Sequence, residues 1–311
     1  MRKSKDSSDG STAHGSGVLE LRLCGEELED GSRRPSREAQ RNAEPGRKSI
    51  ATPRSKGPAS RSRPRAQRSS QALSAEDLLG RAMRARTPRA RGIWARRGLA
   101  ARSPIERTTQ SMLLRQLYLS YFEGRRFRKA EEIATQILEL GILPDVAHQD
   151  AARAMQAMGD VDGAAGHLRL AARVSPPKRR AFHWWTLGSL YYLAGRHEDA
   201  VSALLRAARW GTTDKPLYQG HLAVVRCEAG VKVDDLGGLI ERLAEVPAGQ
   251  GYGRFVLGQM AFHDRRWDEA KRYLDAFVRR TTAGRAALAI ALEGELSVAR
   301  RTLASLSSRL G

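Results

Sequence analysis

The chain has 311 residues, 41% of them apolar, and carries 54 Lys/Arg against 34 Asp/Glu for a net charge of +20. Its two cysteines, Cys24 and Cys227, exclude both a stabilising disulfide framework and a cysteine-rich zinc site. No apolar run approaches the roughly 18 residues that cross a bilayer, and the Gly17–Leu23 patch, broken by Glu20 and Arg22, is a poor signal-peptide core, so cytoplasmic residence is the expectation.

The first 110 residues hold 25 Lys/Arg against 12 Asp/Glu, so the basic excess lies mainly at the front. Residues 1–72 are rich in Ser, Arg, Pro and Gly and show no apolar periodicity. Such a stretch buries too little apolar surface to offset an ordering entropy of roughly 1–2 kcal/mol per residue, and is read as a disordered basic tail. Translation from Met83 is an equally open reading. Residues 73–110 carry helix starts and form a helical cap or degenerate repeat. Ser74 with Asp77 has capping-box spacing, and Thr87-Pro88 places a capping hydroxyl before a first-turn proline. Ser103-Pro104-Ile105-Glu106 repeats that device and predicts a long helix running to Glu123.

From there a period governs the chain. Ala130, Ala164, Ala200, Asp235, Ala270 and Ala299 recur at gaps of 34, 36, 35, 35 and 29 residues. With these residues numbered twentieth in each repeat, position eight reads Tyr118, Ala152, Gly188, Ala223, Gly258, Ala287. Position twenty-four reads Ala134, Leu168, Leu204, Leu239, Leu274, Leu303. Small residues at eight and twenty let two antiparallel helices approach, and bulky ones at twenty-four fill the space between them. Gly159, Gly195, Gly230 and Gly294 fall at position fifteen, where a turn after the first helix is needed. Pro176 and Pro247 at position thirty-two end the second helix. The fourth register is irregular, with Asp235 at the small position, and residues to Gly311 are read as a capping helix pair.

A period near 34 with two helices per repeat resembles the tetratricopeptide repeat family over residues 111–311. The copies that carry the resemblance are Trp184, Leu187, Gly188, Tyr191, Gly195, Ala200, Leu204 and Ala207, then Leu257, Gly258, Trp267 and Ala270, then Leu117, Tyr121, Ala130 and Ile137. The resemblance implies an all-α fold, a right-handed α-solenoid of antiparallel helix pairs. It comprises about five repeats plus C-terminal capping helices, and its first helices line a groove that binds peptides or helices of other proteins. Positions two, five, nine, twelve and thirteen should face that groove. They bring forward Arg115, Arg153, Phe182, Trp185, Ser189, Tyr192, Tyr252, Phe255 and Gln259 as partner-binding residues, with Phe122, Gln149, Gln156, Phe262 and His263 beside them. An aromatic and basic groove suits an amphipathic or acidic partner segment. Aromatic stripes at helical spacing also serve as core, and that plainer role applies to each ring. Members that grip chaperone tails use asparagines on their first helices; the one asparagine here, Asn42, lies outside the repeats.

The principal reading is therefore a non-catalytic interaction scaffold. The alternative is a regulator that meets nucleic acid or an anionic membrane through its basic tail while the repeats recruit a partner, with Arg125–Lys129 and Lys178–Arg180 as further basic clusters. The first 110 residues hold a single aromatic, Trp94, and so lack stacking platforms for bases. The seven histidines show no zinc-type spacing and no nucleophile or phosphate-loop motif occurs, so neither metal, cofactor nor catalysis is expected.

Overall fold

The computed structural model describes residues 73–310; the tail reading for 1–72 lies outside the described residues. Among them there are helices and no strands. In order these are α1 (Ala75–Met83), α2 (Pro88–Leu99), α3 (Arg107–Glu123), α4 (Phe127–Leu140), α5 (Pro144–Ala157), α6 (Val161–Val174) and α7 (Pro177–Leu193). There follow α8 (His197–Trp210), α9 (Lys215–Glu228), α10 (Leu236–Ala244), α11 (Gly253–His263), α12 (Trp267–Ala283), α13 (Ala286–Ala291) and α14 (Glu293–Leu310). Each helix from α1 to α9 packs mainly on its neighbours in sequence, which makes the array a tetratricopeptide-like stack of antiparallel pairs.

Local chemistry sets the helix ends. Ser74 Oγ accepts from the Asp77 amide while the Asp77 carboxylate accepts from the Ser74 amide, a complete capping box. Thr87 Oγ1 accepts from the Ala90 amide at 3.2 Å, with Pro88 in the first turn. The start expected at Ser103 is displaced: Glu106 caps α3 through the Thr109 amide at 2.9 Å. Ile105 explains the delay, because it packs on the small cluster of Ala75, Leu79 and Leu113 and keeps the preceding chain out of the helix.

The spacing rule reappears as contact. A Cβ on Gly188 would lie 2.5 Å from Leu204 Cγ, and one on Gly258 would lie 2.5 Å from Leu274 Cγ. Positions eight and twenty-four therefore meet at the closest approach of their helices. The first repeat reverses the sizes, with Tyr118 at eight and Ala134 at twenty-four, both fully buried. Position fifteen adopts a left-handed backbone in five repeats, as Gly159, Gly195 and Gly230 but also as Arg125 (φ 53°) and Arg265 (φ 59°).

Two expectations are corrected. Asp235 does not stand inside a second helix; it has φ 54° and caps the shortened α10 by accepting from the Gly238 amide. Its carboxylate competes for backbone N–H groups, which favours a helix end over a helix interior. The sixth period is also misread: Gly294 is the second residue of α14 and occupies no turn. The two terminal helices do not simply extend the stack. α13 packs on α3 and α5, and α14 returns along α11 and α12.

Candidate functional site

The inner face is built from α3, α5, α7, α9 and the start of α11, joined by polar contacts between successive repeats. In its first half, Asp150 holds Arg115 at 3.1 Å and Arg153 at 3.3 Å, and the Tyr118 hydroxyl donates to the Asp150 carbonyl. Asp145 is almost fully buried and pairs with Arg179 at 3.0 Å and His183 at 3.4 Å. Burial opposes ionisation of Asp145, yet the His183 hydrogen bond and the Arg179 charge outweigh it and hold the carboxyl below its ordinary value. Desolvation pushes the His183 ring the other way, toward its neutral form.

The second half is aromatic. Trp185 Nε1 donates to His221 Nδ1 at 3.1 Å, and Tyr192 donates to Glu228 at 2.7 Å. The rings of Trp185 and Tyr252 meet edge to face at 4.7 Å, with Phe255 behind Tyr252. His221 is fully buried among these rings and its pKa falls to about 3 by desolvation.

The C-terminal segment lies on this face. Glu295 is 4% exposed, and its Oε1 accepts from Ser189 Oγ at 2.9 Å and from the Tyr252 hydroxyl at 3.3 Å. Its second oxygen is buried without a hydrogen-bond partner, and burial raises the carboxyl pKa to about 6. Gln259 Nε2 donates to Thr302 Oγ1 at 3.1 Å, and a Cβ on Gly294 would come within 2.8 Å of Leu193. Nearer α3, the segment leaves a cavity of about 300 Å³ bounded by Phe122, Arg153, Gln156, Leu193, Ile290 and Gly294.

Of the residues brought forward from the sequence, Trp185, Ser189, Tyr192, Tyr252, Phe255 and Gln259 are all buried. Ser189 and Tyr252 converge on Glu295, and Gln259 on Thr302. Arg115 and Arg153 converge on Asp150, and Arg153 faces the cavity together with Phe122 and Gln156. Phe182 stays half-buried, its ring against His183 and Trp185. Gln149 joins His183 at 2.9 Å, while Phe262 and His263 pack together beside Trp267 at the far end. Sequence reasoning missed Asp145, Asp150, His221, Glu228 and Glu295. Asp145 and Asp150 fall at positions one and six, outside those taken to face the groove, whereas Glu228 stands at position thirteen of the irregular fourth repeat and was passed over. Glu295 had one available signal, an acid beside the apolar stripe Leu292, Leu296, Ala299, Leu303 and Leu306.

No protein family matches this chain, and no curated protein matches it. A solved structure concerned with Pseudomonas aeruginosa pilF is similar to it with a TM-score of 0.42 and 19% sequence identity, covering 66% of this chain and 91% of that one. Among the described residues no cluster of three or more His, Cys, Asp or Glu could hold a metal ion, and no helix is long and apolar enough to cross a membrane.

Proposed function

We propose that the chain is a non-catalytic interaction scaffold whose inner face receives an amphipathic helical segment of a protein partner, and that α14 is the helix seated there at rest. The observation behind this reading is how α14 is held. It lays an apolar stripe on the array and inserts one carboxylate, Glu295, between the hydroxyls of Ser189 and Tyr252. A helix serving only to cover apolar surface has no use for a buried acid with an unsatisfied oxygen, because desolvating it is costly. The same residues describe the partner: a helix with aliphatic anchors at i, i+4 and i+7 spacing and one acid among them. Arg153, which lines the remaining cavity, adds a preference for a second acid. Arg115, Arg153, Phe182, Trp185, Ser189, Tyr192, Tyr252, Phe255 and Gln259 would form the contact surface once α14 leaves.

The test uses the full chain carrying Glu295→Lys, which places an ammonium group where no buried partner waits. Amide exchange over residues 293–310 should rise while α5 to α8 stay protected. A labelled peptide of residues 285–311 should then bind the variant and not the unaltered chain. If exchange shows α14 released and the peptide still fails to bind, the inner face is no receptor for helices and the proposal is wrong.

A further inference from the structure

The outer faces of α6 and α8 carry a composition that packing does not require. Over its last six residues α6 exposes Arg169, Leu170, Arg173 and Val174; over its last six α8 exposes Leu205, Arg206, Arg209 and Trp210. The two sets are related by the 36-residue repeat. The same register on α4 holds Thr135, Gln136, Glu139 and Leu140, so the architecture accepts an acid there. Across α6 and α8 it has none. The acids of these helices, Asp162, Glu198 and Asp199, all sit in their first turns, at the opposite ends. Two of them, Asp162 and Asp199, are tied to Arg196.

The helix between them supplies more of the same. Lys178 and Arg180 stand in the first turn of α7, while Arg179 between them is turned to Asp145. The Arg180 guanidinium lies over the Trp210 ring at 5.3 Å, and Arg206 lies over Trp184 at 4.7 Å. Arg169 donates to the Tyr191 hydroxyl. Trp210 and Leu205 are each 47% exposed, Val174 is 45% and Leu170 is 40%. Cations thus alternate with exposed aliphatic and indole surface, and the indole sits at the edge where α8 ends.

We infer that this face of α6, α7 and α8 docks on an anionic phospholipid membrane. Arginines match the headgroup phosphates, each contributing attraction at the surface of an acidic leaflet. Leu170, Val174 and Leu205 bury against the acyl boundary, and Trp210 takes the interfacial depth that amphipathic rings favour. Nucleic acid would use the cations and the indole but leave three aliphatic side chains without a role, so the apolar component decides between the two. This inference is independent of what the inner face binds.

The experiment measures tryptophan fluorescence of the full chain on vesicles of brominated phosphatidylcholine and phosphatidylserine, against phosphatidylcholine alone. The basic front of the chain can hold a vesicle without inserting Trp210, so quenching depth, not capture, is the readout. Quenching is expected on the anionic vesicles only. Trp210→Phe should remove most of it, and Arg173→Gln/Arg206→Gln/Arg209→Gln should reduce it to the level seen without phosphatidylserine. All four side chains are exposed, so both variants keep the fold, checked by circular dichroism. Quenching that survives Trp210→Phe, or none in the unaltered chain, overturns the inference. Absent quenching together with oligonucleotide binding that the triple variant abolishes assigns the face to nucleic acid and overturns it equally.

Discussion

Gly188 and Leu204 form the smallest unit on which the array depends. The glycine has no Cβ, and the leucine occupies the space a Cβ would need. Gly188→Ala should therefore cost about 1–3 kcal/mol by overpacking, read as a lower urea midpoint. Leu204→Ala opens a cavity and should cost about 2–5 kcal/mol alone. In the double variant the new methyl occupies part of that cavity, so the combined loss should fall below the sum of the two. Additive losses would mean that the two residues are not in contact.

Two buried titratable groups set opposite pH limbs at this same scale. Folding raises the Glu295 pKa from 4.5 to about 6, so the folded chain holds that proton more tightly than the unfolded chain. Its contribution is complete below pH 4.5 and is lost as pH rises through about 6, a change of about 2 kcal/mol. Folding lowers the His221 pKa from 6.5 to about 3, so the unfolded chain takes that proton first. The neutral ring's contribution is complete above pH 6.5 and is lost as pH falls toward 3. His148, His167, His183 and His263 are lowered as well, chiefly by burial, and add to the acid limb. Urea titrations from pH 4 to 7 should show His221→Gln flattening the acid limb, since glutamine still offers Trp185 an acceptor. Glu295→Gln should remove the opposing decline between pH 4.5 and 6, making the net rise in stability over that range steeper. Unchanged slopes in both variants would show that neither group is buried as described.

At the scale of the element, the turn between paired helices needs one left-handed residue, and two repeats supply it with arginine. Arg265 carries φ 59° where three other repeats place glycine. Arg265→Gly should raise stability by about 1 kcal/mol, because glycine meets no Cβ penalty there. A loss instead would mean that the arginine side chain contributes more than its backbone strain. The helix starts at Ser74 and Thr87 and the pairing of positions eight and twenty-four were legible in the sequence, because each depends on residues three apart or on a repeated size rule. The start of α3 was not, since Ile105 is held by contacts with α1 that no local pattern encodes. Asp235 and Gly294 misled for a related reason. A period counts positions, and an acid that caps or a glycine that touches Leu193 can fall on schedule by coincidence. The burial of the inner face was equally hidden, because the apolar stripe of α14 reads the same whether that helix covers one neighbour or several.

At the scale of the molecule, the C-terminal segment changes what kind of object the array is. In an open solenoid each repeat touches only its neighbours, and stability is a sum of local terms along a line. Here Arg125 meets Glu293 across 168 residues, Ser189 meets Glu295 across 106, and α13 touches α3 and α5. The Arg125 pair is largely exposed and adds little energy of its own. The coupling comes from the buried Ser189–Glu295 contact, the close approach of Gly294 to Leu193 and the packing of α13 on α3 and α5, which tie the C-terminal segment to earlier repeats. The intact array should therefore unfold in urea in a single transition, with indole fluorescence and helical signal coincident. A chain ending at Gly284 loses every one of those long-range ties while keeping each neighbour-to-neighbour interface from α1 to α12. Its transition should broaden, and the two probes should separate, because four of the five tryptophans lie from Trp184 onward whereas helical signal comes from all repeats. If the shortened chain keeps one sharp, coincident transition, cooperativity resides in the repeat interfaces themselves, and α13–α14 is a passenger on the inner face.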